Sequence, residues 1–270
     1  MKLISFNAYR TIGIPGVVYI KPENMFKERE KIGEADYILF PEYWQINPLV
    51  YSLQKKIFPS ASTYYLGHNK IEMTRALWAA FPENVPYTTI LNKDDFDLDT
   101  IEEEFGYPLV CKEIKNSMGR GVFLAENKKE LMSYVDNNEV LYIQEKLPID
   151  RDLRIVYVGD RVVASYWRIA AEGSFHNNIA KGGSYDFGNI PSGAVKLVEK
   201  VAKKLGINHA GFDVAVVDNK YYILEFNVLF GNAGLRHLGI NVEQIIYDFI
   251  TSFGSNPKKP NFPTIGTKAS

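Results

Sequence analysis

Two hydrophobic periods alternate along the first third of the chain. Leu3-Ile4-Ser5-Phe6 is a compact apolar run that predicts a strand, and Asp36 to Phe40, closed by Pro41, predicts a second. Between them Met25, Phe26, Arg29 and Ile32 recur at helical spacing, so a helix is expected over 22–32, with Gly33 placed to end it. Asn47-Pro48 offers an N-cap and a proline at the first helical position, predicting a helix that leads to Phe58-Pro59. Strand and helix in alternation imply a small α/β layer of about 65 residues.

From His68 to Phe81 a helical stretch sets Ile71, Thr74, Leu77, Trp78 and Phe81 on one side. After residue 107 paired strands dominate, with helices interspersed. Pro108 to Ile114, Gly121 to Ala125 and Leu141 to Leu147 are strand-like, and Asn127 with Glu130 has the spacing of a capping box. Leu153–Val158 and Val162–Ile169 flank Gly159-Asp160-Arg161, a hairpin signal. Ser192 is placed to cap a helix carrying Val195, Leu197, Val198, Val201, Ala202 and Leu205, with Gly206 as its stop. A second hairpin, Gly211–Val217 with Tyr221–Val228, turns at Asp218-Asn219-Lys220, and Asn241 to Phe253 predicts a closing helix. Residues 255–270 hold three Pro and three Lys and read as a loose tail.

Composition narrows the class. Lys and Arg number 31 against 32 Asp and Glu, a balance that argues against a dedicated nucleic-acid binder. One cysteine makes no intrachain disulfide, and four scattered His with Cys111 have no zinc spacing. The N-terminal apolar run is too short for a signal peptide, and no run approaches the length of a membrane span. A cytoplasmic globular protein without membrane partners is expected, with homo-oligomerisation left open.

Four constellations could carry chemistry. Lys112 leads into Lys115-Asn-Ser117-Met-Gly119-Arg-Gly121, a glycine-containing loop between strands. Its N–H groups and cations could cover phosphates, or it is a turn with glycines chosen for their φ angles. Asp213 would oppose Glu225 across a three-residue turn, with Cβ atoms about 5 Å apart, and Asn227 would share the face of Glu225. Two facing carboxylates and an amide oxygen form an all-oxygen set suited to Mg²⁺, unless they are solvated outer-face residues. Arg168 precedes a connection rich in donors, His176, Asn177, Asn178, Lys181 and two glycines, that could hold a phosphate and a carboxylate or be a plain polar loop. Gln144-Glu145-Lys146-Leu147, followed by Asp152, could offer edges to an adenine and a carboxylate to a ribose, as could many hinges.

In this order the four resemble an ATP-grasp enzyme of the RimK-like (ribosomal S6 glutamate ligase-like) family. The likeness covers about residues 68–250, running through Ser117-Met-Gly-Arg-Gly-Val-Phe, Tyr142-Ile-Gln-Glu, Asp152-Leu-Arg, Arg168 to Gly183, Gly211-Phe-Asp-Val and Leu224-Glu-Phe-Asn. It implies a mixed α/β and α+β fold, two α+β lobes gripping ATP behind a small α/β N-terminal domain. Divisions are expected at 1–67, 68–147 and 148–254, with 255–270 as tail. The resemblance implies that Lys70, Lys112 and the loop holding Ser117, Gly119 and Gly121 bind ATP phosphates. It puts Glu145, Lys146 and Leu147 at the adenine, Asp152 at the ribose, and Mg²⁺, or Mn²⁺ in its place, on Asp213, Glu225 and Asn227. Arg168 would be catalytic, with His176, Asn178 and Lys181 facing substrate.

The implied activity is ATP-dependent joining of a carboxylate to an amine through an acyl phosphate. An ATP-binding module without ligase activity and a phosphotransferase are the alternatives. Two departures stand out. Asn227 leads into Val-Leu-Phe-Gly231 where the family usually has a small residue and Ser-Pro-Gly, and His176 and Lys181 stand where relatives carry Arg. Pro41-Glu-Tyr-Trp-Gln45 has no family counterpart, and either lines a substrate site or forms a surface aromatic patch.

Overall fold

The computed structural model describes residues 1–114, 121–169 and 183–252. Its first sheet is built from strands of three residues, too short to show a period in sequence. These are β1 (Leu3–Ser5), β2 (Val17–Tyr19), β3 (Tyr37–Leu39) and β4 (Lys56–Phe58), parallel and ordered β2-β1-β3-β4. The order reverses direction between β1 and β3, and in open α/β sheets the carboxyl ends at such a reversal are the usual ligand position.

Two predicted helices shrink here. The 22–32 stretch divides into a 3₁₀ turn at Pro22–Asn24 and a short helix at Arg29–Gly33, and 48–58 yields one π turn at Pro48–Ser52. Beyond that turn Ile57 and Phe58 are buried in β4 alongside β3, so sheet pairing overrides the helix signal. With α1 as Ala8–Thr11 and α2 as Arg29–Gly33, the unit closes on α3 (Ala61–His68), capped by Ser60, whose Oγ accepts from Thr63 N.

Asn69 then caps α4 (Lys70–Ala80), accepting from Ile71 N at 2.9 Å. The second sheet, β5 (Thr88–Asn92), β6 (Leu109–Lys112), β7 (Val122–Ala125) and β8 (Val140–Glu145), is antiparallel and ordered β5-β8-β6-β7. α5 (Leu98–Phe105) and α6 (Lys128–Asp136) bury Ile101, Leu131, Tyr134 and Val135 against it. Asn127 caps α6 as expected, and Glu130 returns a bond to Glu126 N rather than to the cap's own N–H.

The third sheet is antiparallel, ordered β11-β10-β9-β12-β13, from β9 (Arg151–Val158), β10 (Arg161–Ile169), β11 (Ser184–Asp186), β12 (His209–Val217) and β13 (Lys220–Asn227). α7 (Ser192–Leu205) packs Val198, Val201 and Ala202 onto one face together with Met73 and Leu77 of α4. Pro191 takes the cap position of α7, so Ser192 is its first helical residue, and Gly206 ends it with φ +68°. α8 (Ala233–His237) and α9 (Val242–Ser252) cover the other face, where Leu3, Leu39 and Phe58 of the first sheet share a core with Val156, Ala164, Ile246 and Ile250.

The β12–β13 turn is tighter than the sequence suggests. Asp218 and Asn219, with φ of +48° and +62°, form a two-residue turn, and Val217 pairs with Lys220. The ladder then slips by one residue between Val214↔Ile223 and Asp213↔Glu225, leaving Leu224 as the extra residue of a bulge.

Candidate active site

The bulge sorts side chains between two faces. Phe212, Val214, Ile223 and Phe226 lie in the core beneath α7. Asp213, Glu225 and Asn227 are left to the opposite face, where Asn227 Nδ2 donates to Glu225 Oε1 at 3.0 Å. In an unbulged strand Ile223 and Glu225 would point the same way.

Neighbouring strands place cations beside Asp213. It stands opposite Arg154 of β9, and Asp152, two residues earlier on β9, stands opposite Arg168 of β10. Arg168 grips Asp152 with both arms, Nε to Oδ1 at 2.7 Å and Nη2 to Oδ2 at 2.6 Å, and its Nη2 also lies 3.0 Å from Asp213 Oδ2. Arg154 Nη2 donates to Asp213 Oδ2 at 3.3 Å, while its Nε is 2.6 Å from Oδ1 at an angle that makes an ion pair without a hydrogen bond. Two Arg and two Asp cancel in charge, which allows all four to be buried or nearly so. Burial disfavours the charge on Arg168, but Asp213 and Asp152 more than offset it and hold the guanidinium strongly protonated. For Asp152 burial is the larger influence and lifts its carboxyl above the usual range, against the pull of Arg168.

A second cationic group meets this face. Lys70 is mostly buried at the first turn of α4, and desolvation lowers its pKa. Glu225 and Glu113 act on it favourably and Lys112 unfavourably, so Lys70, Lys112 and Glu225 form one electrostatic neighbourhood. Lys112 is buried at the end of β6, with Nζ 5.2 Å from the ring centre of Tyr142. Lys70 and Lys112 thus bring two ammonium groups to this face, donors suited to phosphate oxygens.

The remaining predicted residues are more scattered. Gly121 has φ +80°, and its carbonyl accepts from Glu113 N at 2.6 Å. Glu145 accepts from Tyr87 N through Oε1 at 2.6 Å, Lys146 is exposed, and Leu147 is half-buried with its carbonyl bonded to Ile149 N. Asp152 meets Arg168, a partner the family resemblance did not supply. Ser117, Gly119, His176, Asn178 and Lys181 lie outside the described residues. Arg154 is the member that sequence reasoning missed. The signal was available, because it is the lone charge in the strand run Leu153 to Val158.

The metal expectation has support in donor chemistry. Asp213 Oδ1 is buried with the Arg154 ion pair in place of a hydrogen bond, and Glu225 and the Asn227 amide add oxygens on the adjacent strand. Among the described residues no three His, Cys, Asp or Glu cluster as a metal cage, so such a site would complete its shell with water and phosphate oxygens. Tyr43 and Trp44 are exposed just past the carboxyl end of β3. Trp44 Nε1 donates to Glu42, and Tyr43 stacks on His68 at 3.9 Å, two residues before Lys70.

Two antiparallel sheets, one ending in Lys112 and the other carrying Asp213, Glu225 and Asn227, define an ATP-grasp fold. Solved structures agree. D-alanine–D-alanine ligase from Bacillus anthracis superposes with a TM-score of 0.70 at 17% identity, covering 93% of this chain and 96% of that one. A RimK domain ATP-grasp protein from Sphaerobacter thermophilus gives 0.69 at 18% identity, covering 92% and 99%. Residues 68–250 match the family model described as a RimK-like ATP-grasp domain, and the chain belongs to that family. Among curated relatives, a probable alpha-L-glutamate ligase of Citrobacter koseri is 32% identical over 159 residues, 57% of this chain and 53% of its own length. A ribosomal protein bS6–L-glutamate ligase of Escherichia fergusonii gives the same identity and coverage. The chain thus spans about half the length of these relatives. No described helix is long and apolar enough to cross a membrane.

Proposed function

We propose that the chain is an ATP-dependent carboxylate–amine ligase acting on an amino acid or peptide, with divisions near residues 67 and 147. The observation that carries this reading is the row Arg168–Asp152–Arg154–Asp213, continued by Glu225 and Asn227 and met by Lys70 and Lys112. A module that only bound nucleotide would not need the buried arginines.

Lys70 and Lys112 bind the phosphates and offset the charge brought in when a carboxylate oxygen attacks the γ-phosphorus and ADP departs. Asp213, Glu225 and Asn227 would hold Mg²⁺, or Mn²⁺ in its place, which when bound supplies further neutralisation of phosphate charge. The amine nitrogen then attacks the acyl carbon, phosphate leaves, and the nitrogen loses a proton to water. Arg168 stabilises the tetrahedral oxygen, and Asp152 fixes its plane through two parallel bonds. Arg154 keeps Asp213 in register with Glu225. Gly121, with Ser117 and Gly119 before it, covers the phosphates. Glu145, Lys146 and Leu147 receive the adenine, and His176, Asn178 and Lys181 face substrate. The reading places the enzyme in the cytoplasm.

ADP release from MgATP with amino acids and short peptides, supplied singly and as pairs, tests it. ADP formed only with a particular pair, with a product at their summed mass minus water, is expected. ADP release without a condensation product would overturn the ligase in favour of a phosphotransferase.

A further inference from the structure

Arg10 lies outside every contact assigned so far. It follows β1 on α1, beside the point where the first sheet reverses direction, and Asn7 Oδ1 accepts from its N–H at 3.1 Å. Its Nη1 donates to the carbonyl of Phe230 at 2.8 Å. That residue borders the site, because a Cβ at Gly211 would come within 2.6 Å of Arg154 Nη1 and 2.9 Å of Phe230 Cβ. One backbone bond therefore ties Arg10 to the residue that packs beside Arg154.

Arg10 is half-buried, and among the described residues no carboxylate is within ion-pair distance of it. Glu243 acts on it only at longer range. Most of its N–H donors have no protein acceptor. Tyr64, which feels the charge of Arg10, has a buried hydroxyl with no hydrogen-bond partner. Two residues beyond Phe230, Asn232 Oδ1 is also buried and without a partner. Buried polar groups are nearly always bonded, so two orphaned oxygens, one in the field of Arg10 and one two residues from its carbonyl partner, call for a polar ligand.

We propose that Arg10 and Tyr64 bind the α-carboxylate of the amino acid that supplies the amine, with Asn232 Oδ1 accepting from a nitrogen of the same molecule. The inference rests on the ligase reading and names a substrate contact whose carboxylate-binding half, Arg10 and Tyr64, precedes the ATP-grasp domain. A cationic fork and a phenol match the two oxygens of a carboxylate, and the amide oxygen matches an ammonium or amide N–H.

The test is calorimetric titration of the full chain, with Mg²⁺ and a non-hydrolysable ATP analogue, using L-glutamate and L-alanine, each beside its α-carboxamide. The wild-type chain is expected to prefer at least one acid over its carboxamide about tenfold. Arg10→Gln should erase that preference, Arg10→Lys should retain part of it, and Tyr64→Phe should weaken acid binding about fivefold. No binding of either acid, or a preference that survives in Arg10→Gln, would overturn the site. ADP release separates it from the ligase reading: turnover with an unchanged KM in Arg10→Gln refutes only the carboxylate site. Acid-selective binding lost in Arg10→Gln, but without ADP from any pair, refutes only the ligase.

Discussion

Asp213 and Glu225 face each other because two irregularities in one hairpin cancel. The turn at Asp218-Asn219 is one residue shorter than the sequence suggests, and Leu224 adds one residue to β13. The same bulge lets Ile223 reach the core while Glu225 stays on the site face. Since both turn residues have positive φ, Asn219→Val should cost about 1–2 kcal/mol, whereas Asn219→Gly should be neutral or stabilising. Urea denaturation of the two variants checks this.

Arg154→Met is expected to destabilise the fold by about 3 kcal/mol, because Asp213 loses a buried partner. Adding Asp213→Leu should recover much of that loss, since both charges of the pair are then gone, while turnover stays abolished. Stability that falls further in the double variant would refute pairing as the role of Arg154.

Lys70→Met should weaken ATP binding by about tenfold or more while leaving the ligand-free chain as stable or more so. The sign follows from its lowered pKa. Burial and Lys112 make its charge costlier in the folded than in the unfolded chain, so protonation of Lys70 subtracts from stability. Thermal unfolding with and without MgATP reads both effects.

His209 is fully buried, stacked on Phe230 at 4.7 Å with its Nδ1 2.8 Å from the Val228 carbonyl, and desolvation pushes its pKa down to about 3. A group held neutral by folding contributes its stability above its unfolded pKa of 6.5 and loses it as pH falls from there toward about 3. The loss approaches about 1.4 kcal/mol per pH unit. Denaturant titrations between pH 7 and pH 4 (chosen assay conditions) should show that slope in the wild type and a flatter one in His209→Gln.

Cys111 is buried in the core of the second sheet, and burial raises its pKa to about 12. Thiol reagents at neutral pH should leave the folded chain unmodified and label it once on denaturation. Rapid labelling of the native chain would contradict this burial.

What could be read from sequence was set by length and by locality. α4, α6, α7 and α9 carry apolar stripes over nine residues or more, and Asn127 before α6 and Gly206 after α7 mark their ends. β2 and β4 are three residues long and exist through pairing with β1 and β3, which no local window contains. α3 begins Ala-Ser-Thr-Tyr-Tyr, with no apolar stripe to mark it. At the site, alternation along β13 correctly set Asn227 on the face of Glu225. The opposition of Asp213 and Glu225 was right through a wrong turn length, and Arg154 needed the β9–β12 pairing to be seen as a partner of Asp213.

Leu3, Leu39 and Phe58 share their core with Ile246 and Ile250. During synthesis the first sheet therefore emerges long before the surface it is shaped to meet. At roughly 5–20 residues per second the delay is on the order of ten to forty seconds. Through that interval β1 to β4 remain an incomplete layer, and their completion coincides with the arrival of α9 rather than with their own translation.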